Sequence, residues 1–219
     1  MKTKIISLIL CVGLVVACNN QQKGAAIGAG GGAVLGGVIG KLAGNTVVGA
    51  AIGGIVGAAA GGIIGKKMDK AKAAAAQVQG AKVESVKDAN GLDAVKVSFD
   101  AGILFATGKA TLTTASNTSI TEIGKVLKEN SDMDIAIIGH TDSTGSDAVN
   151  NPLSVNRAKA VQTALKGQGV TNIKRVEGQG SKNPVADNST AEGRQQNRRV
   201  EVYMYASEKM IKEAQAQAN

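Results

Sequence analysis

Tryptophan is absent from this chain, and only Phe99, Phe105, Tyr203 and Tyr205 are aromatic. Stacking of sugars or nucleobases needs aromatic platforms, so the chain is poorly equipped for either, and nucleic acid is not an expected partner. Two prolines in 219 residues, with no glycine at every third position, exclude collagen. One histidine, His140, and two cysteines, Cys11 and Cys18, give no zinc-ligand spacing. We expect no metal and no cofactor.

Glycine, by contrast, is plentiful: 29 residues, of which 16 fall in the 42 positions from Gly24 to Gly65. Such a block is not an ordinary water-soluble core. Charge is mildly basic, with 25 Lys and Arg against 17 Asp and Glu, a net of +8. That bias suits a polyanion, an anionic membrane surface or a cell wall without choosing among them.

The first seventeen residues read as an address. Lys2 and Lys4 precede an apolar run, 5–17, broken only by Ser7 and Gly13. This is the layout of a secretory signal, too short for a comfortable membrane span. Val15-Val16-Ala17-Cys18 resembles a bacterial lipobox, which implies cleavage before Cys18 and its acylation. Cys11 then leaves with the signal, so the two cysteines do not imply a disulfide. Several acyl chains anchor durably where one is marginal. Asn19 is not the Asp that resembles an inner-membrane retention signal, so the outer membrane is the expected location. Residues 18–23 are then expected to form a polar, acylated N-terminus.

From Gly24 the glycines keep a period of four through Gly44, and the series restarts at Gly49 and runs to Gly65. Shifting the chain by 25 residues aligns 24–41 with 49–66, and twelve of the 18 paired positions are identical. On a helix, period four makes one stripe without side chains, along which two helices can approach closely. Each unit spans roughly 27 Å as a helix, near the thickness of a bilayer's hydrocarbon core. Gly44-Asn45-Thr46 reads as the turn between them. The stretch resembles the glycine-zipper hairpin of bacterial envelope proteins, and the expectation for 24–65 is a membrane-associated helical hairpin. A flexible Gly/Ala linker is the alternative, but Ile, Val and Leu at thirteen of the 42 positions argue against it. Oligomerisation through the zipper, up to a pore, is a further possibility. Residues 66–80 read as a helical spacer ended by Gly80.

The pattern changes at Ala81. Residues 82–86 and 95–99 alternate about Ala89-Asn90-Gly91, a hairpin signal. Ile120, Ile123, Val126 and Leu127 keep a helical period, with Ser119 and Glu122 at capping-box spacing. Ile135–Ile138 is a short buried strand. Pro152 is expected to begin a helix that carries Val155, Ala158, Val161 and Leu165 and stops near Gly167. Further strands are expected at 173–176 and 199–205. Strands separated by helices give an α/β sandwich on a mixed sheet over 81–206, enough to bury one core. The tail, 207–219, has the makings of a short helix and receives no role.

A hydrolase built from Asp142, His140 and a serine is conceivable, but no G-x-S-x-G elbow supports it, and we expect no enzyme. Asp142 follows a strand, and Arg157 lies fifteen residues on in the next helix. Loop and helix can meet at a strand's C-terminal edge, where α/β folds bind ligands. A carboxylate and a guanidinium suit a zwitterion, the first taking an ammonium and the second a carboxylate. They equally suit a plain surface salt bridge, and spacing alone does not choose.

A resemblance does. Gly139-His140-Thr141-Asp142, Gly145, Asn150, Leu153-Ser154, Arg157-Ala158, Gly178-Gln179-Gly180, Pro184, Asn188, Gly193-Arg194 and Asn197-Arg198-Arg199-Val200-Glu201 resemble, in order, the OmpA-like peptidoglycan-binding domain of OmpA C-terminal domains and peptidoglycan-associated lipoproteins. The resemblance implies non-covalent binding of meso-diaminopimelate in the stem peptide, with Asp142 on its ammonium and Arg157 on its carboxylate. It implies that Asn150 and Leu153 line the pocket, that Thr141 lies beside it, and that Arg194 touches ligand. Asn197 and Arg198 are expected to brace loops instead. Ala106 and Gly108 stand where many members carry side chains able to hydrogen-bond, so any contact there must come from the backbone. The expected whole is an outer-membrane lipoprotein tethered to peptidoglycan.

Overall fold

The computed structural model describes residues 57–88, 91–106 and 108–218. The expected signal, Cys18 and most of the expected zipper hairpin lie outside the described residues.

Eleven elements follow in order among the described residues: α1 (Ala58–Ala75), β1 (Ala81–Lys87), β2 (Asp93–Asp100), α2 (Ala101–Leu104), α3 (Ser116–Glu129), β3 (Met133–Gly139), α4 (Asp147–Gly167), β4 (Ile173–Gly178), α5 (Ala191–Asn197), β5 (Arg199–Ala206) and α6 (Glu208–Ala218). The sheet order is β1-β2-β5-β3-β4. Only the β3–β4 pair is parallel, as expected where a helix, α4, carries the chain across. The expected α/β architecture with a mixed sheet is therefore present.

Period-two alternation sorts the sheet's faces. Val200, Val202 and Met204 of β5 join Ile135 and Ile137 of β3 and Val95 and Val97 of β2 in the main core beneath the helices. Tyr203 and Tyr205 turn the other way and pack with Ala94, Ala136 and Ile138. Every residue of β5 is buried, as befits the central strand.

The structure departs from expectation at α1. This one helix runs unbroken from the end of the second glycine-rich repeat through most of the presumed spacer, with no break at 65/66. Ala60, Ile64, Met68, Ala71 and Ala75 form a buried stripe on it that packs against β2 and α6. The stripe recurs every three to four residues, the spacing of one helix face. Lys67 adds an ion pair with Asp132 at 2.6 Å. The tail is likewise ordered: α6 buries Met210, Ile211 and Ala214. Ile64 is fully buried, so Ile64→Ala should cost at least about 2 kcal/mol. Denaturant titration checks this, and a free spacer would show no change.

Two helix starts also differ. Ser119 and Glu122 do not cap their own helix, which begins earlier, after Ala115. Instead Ser119 Oγ donates to the Gln79 carbonyl (2.8 Å) and Glu122 Oε2 accepts from the Gln79 amide (2.7 Å). The paired donor and acceptor were legible, but they serve the peptide that links α1 to β1. Pro152 lies inside α4, which starts at Asp147. Its first turn is pinned to the preceding loop by its own Asn150, whose side-chain amide donates to the carbonyls of Asp142 and Thr144.

Among the described residues no helix is long and apolar enough to cross a membrane.

Candidate functional site

The site forms where β3 and β4 end and α4 crosses them. Gly139 closes β3 and Gly178 closes β4, side by side in register. A Cβ on Gly139 would collide with the Ser154 carbonyl, and one on Gly178 with Ser154 and the Val155 amide. The backbone of α4 thus rests directly on the sheet, which only glycine allows. Ser154 Oγ accepts from the Gly180 amide (3.0 Å), and the Thr141 amide donates to the Gly180 carbonyl (2.9 Å). The loops after β3 and β4 are thereby tied to α4.

Asp142 sits on the first of these loops. Its Oδ1 accepts from the Thr144 amide (2.8 Å), and its Oδ2 accepts from Arg198 Nη1 (2.6 Å). Burial works against the charge, but the Arg198 and Thr144 hydrogen bonds outweigh it and hold the carboxyl below its ordinary value. Asp142 is an anion at neutral pH.

Arg157 projects from α4 and is 3% exposed. Its Nε donates to the Lys109 carbonyl (3.0 Å), and the guanidinium lies 5.4 Å from the centroid of the Phe105 ring, a favourable cation–π distance. Burial, then the nearby Arg198, disfavours its charge, and Asp142 offsets part of this. An arginine keeps its proton regardless. Its Nη1 is buried without a hydrogen-bond partner among the described residues, as is Thr141 Oγ1. Native proteins satisfy most such groups. Two such atoms, one of them cationic, thus lie near an ionised carboxylate.

The structure thus brings Thr141, Asp142, Asn150 and Arg157 together. Asn150 spends its amide hydrogens on the loop that carries Asp142, so its visible role there is to shape the loop. Leu153 is half-buried on α4 beside Ser154. Arg194 is placed differently: its Nη1 donates to the carbonyls of Asn188 and Ser189, both at 2.9 Å, as a loop brace. Asn197 does brace, with Oδ1 accepting from the amides of Val185 and Ala186. Arg198 faces Asp142. The sequence placed Arg198 among the braces and assigned Phe105 no role. For Phe105 the signal was present, one of four aromatics beside a loop already under suspicion.

The His140–Asp142 pairing that a hydrolase needs is absent. His140 Nε2 lies 3.0 Å from Glu201 Oε2, where Tyr203 Oη also donates (2.7 Å), and Arg199 Nε donates to Glu201 Oε1 (2.8 Å). Burial keeps His140 below its ordinary value and so neutral. Burial opposes the Glu201 charge, yet the His140, Arg199 and Tyr203 contacts prevail and hold that carboxyl far below the usual range.

An α/β domain with one mixed sheet and a buried carboxylate and guanidinium at the β3–α4 junction defines the class. Residues 104–198 match the model of the OmpA family, and residues 1–69 match that of the YMGG-like Gly-zipper. The chain is thus similar to the OmpA family over 104–198 and to the glycine zipper over 1–69, and the zipper match reaches into α1. It is 42% identical over 111 residues to "Probable lipoprotein YiaD" of Escherichia coli K12, covering 50% of this chain and 51% of that one. It is 43% identical over 102 residues to the peptidoglycan-binding protein ArfA of Mycobacterium tuberculosis, covering 46% of this chain and 31% of that one. The chain thus spans about half or less of these relatives. Among solved structures it resembles the cell wall anchor of the T6SS from Pseudomonas aeruginosa, with TM-score 0.53 and 27% identity over 64% of this chain and 97% of that one.

Proposed function

We propose that this chain grips peptidoglycan without turning it over, and ties it to the outer membrane through an acylated Cys18. The ligand is the free end of meso-diaminopimelate in the stem peptide, an ammonium and a carboxylate on one carbon. Asp142 accepts from the ammonium. Arg157 offers its unpartnered Nη1 to the carboxylate, in a desolvated setting where charge-assisted hydrogen bonds are strong. Thr141 Oγ1 has its hydrogen-bonding capacity unspent. The observation that carries this reading is the buried Arg157 guanidinium with a spare donor. The similarity to a peptidoglycan-binding protein, a probable lipoprotein and a cell wall anchor supports the same reading.

Purified sacculi should retain the protein on sedimentation, and millimolar free meso-diaminopimelate should release it. Retention that the free diamino acid leaves untouched would sink this ligand assignment. Acid should act through Asp142. Its carboxyl is held below the ordinary 3.8, so the anion, and retention with it, persists from neutral pH down to 3.8. Retention falls only below that, as the carboxylate takes up a proton. A pH series of sedimentations reads this directly.

The family match over 1–69 favours a second element, zipper-driven assembly of the membrane part. Deleting 24–56 tests it while sparing Ile64 and the rest of α1. Wall binding should survive and particle size should fall.

A further inference from the structure

Asp142 already has a cation. Arg198 Nη1 sits 2.6 Å from its Oδ2, on the oxygen that an incoming ammonium would seek. Three formal charges therefore share the site: one carboxylate and the guanidiniums of Arg157 and Arg198. Arg198 and Arg157 are close enough for the first to disfavour the charge of the second. They differ in how they are held. Arg157 is locked by Lys109 and Phe105. The Arg198 side chain is 39% exposed, and its hydrogen bond to Asp142 is its sole side-chain partner among the described residues. Its fixed part is the backbone: its amide donates to the Arg194 carbonyl and its carbonyl accepts from the Ala101 amide.

We propose that Arg198 is a built-in, displaceable counter-ion that selects a zwitterion over a plain ammonium. This rests on the diaminopimelate reading of the site. In the empty site Arg198 neutralises Asp142 and so charges an entry toll. An ammonium takes its place on Asp142, and the freed guanidinium swings toward the ligand's carboxylate beside Arg157. Every charge then faces its opposite. A lysine side chain, with an ammonium and no carboxylate, displaces Arg198 but leaves it nothing to pair with, beside a second guanidinium. The site carries a net +1, and an unbalanced cation raises it to +2. Discrimination comes from that repulsion as much as from attraction.

The test uses full-length chain in detergent and calorimetric titration. The probes are Nα-acetyl carboxamides of meso-diaminopimelate and of L-lysine, blocked so that only the side-chain end is charged. Wild-type protein should prefer the diaminopimelate derivative. Arg198→Gln should bind the lysine derivative about five- to tenfold more tightly, because its competitor is gone, an effect of the size of one partly exposed ion pair. It should bind the diaminopimelate derivative more weakly, having lost the second guanidinium. The preference should thus shrink at least about tenfold. Arg198→Lys, which keeps the charge, should retain most of the preference, and circular dichroism should show both variants folded. An Arg198→Gln preference equal to wild type overturns the proposal while leaving the site reading intact. A uniform weakening toward both probes does the same and makes Arg198 a brace. Wild-type protein that binds neither probe, while Asp142→Asn changes nothing, overturns the diaminopimelate reading and this inference with it.

Discussion

Arg157→Ala should abolish retention on sacculi. Removing one partner of a desolvated charge pair costs about 2–5 kcal/mol, a loss of roughly thirtyfold to several thousandfold. Arg157 should fall at the upper end, because it is 3% exposed and holds the site's spare cationic donor. Arg157→Lys should rescue little. An ammonium has no planar fork, so the bond to the Lys109 carbonyl and the stack on Phe105 both go. Far-ultraviolet circular dichroism should match wild type, since the side chain serves the site more than the core. Wild-type sedimentation by a folded Arg157→Ala variant would remove the guanidinium from the mechanism.

Glu201→Ala should be the most destabilising single change, at about 3–5 kcal/mol. Glu201 is 2% exposed and accepts from Arg199, Tyr203 and His140. Its loss strands a 6%-exposed arginine without its carboxylate. Glu201→Gln keeps the shape and isolates the charge. The folded-state carboxyl lies far below its ordinary 4.5. Its stabilisation is therefore fully present above pH 4.5 and drains away as pH falls toward the folded-state value. Urea melts of wild type and Glu201→Gln should differ most near neutrality, and the gap should narrow in acid. A gap that widens in acid would mean that Glu201 is protonated in the native state.

The sequence made some of this legible and concealed the rest for identifiable reasons. Strand β5 was readable because apolar and polar residues alternate over its length, and α4 because one face keeps a helical period. Asp142 and Arg157 were readable as a pair with two meanings, and only geometry shows that they are unpaired with each other. The fixed glycines were visible as a pattern. That Gly139 and Gly178 exist to seat Ser154 is a fact about three chain segments, absent from any one alone. Small and aliphatic residues suit a bilayer and a sheet equally, so 58–65 gave no sign that β2 and α6 would receive it. The Arg198–Asp142 pair closes across 56 residues, a separation at which local spacing carries no information.

The chain enters the described domain at Gly57, and α1 is the first element it meets. Tension from a membrane anchor would thus arrive as a peeling load on Ala60, Ile64 and Met68, one helical turn after another. Behind them stands the clamp on Gln79, whose amide is held by Glu122 and whose carbonyl is held by Ser119. Stripping α1 would spend mechanical work and lengthen the connection before any strain reached β1, while the loop after β3 that carries Asp142, and Arg157 on α4, kept their shape.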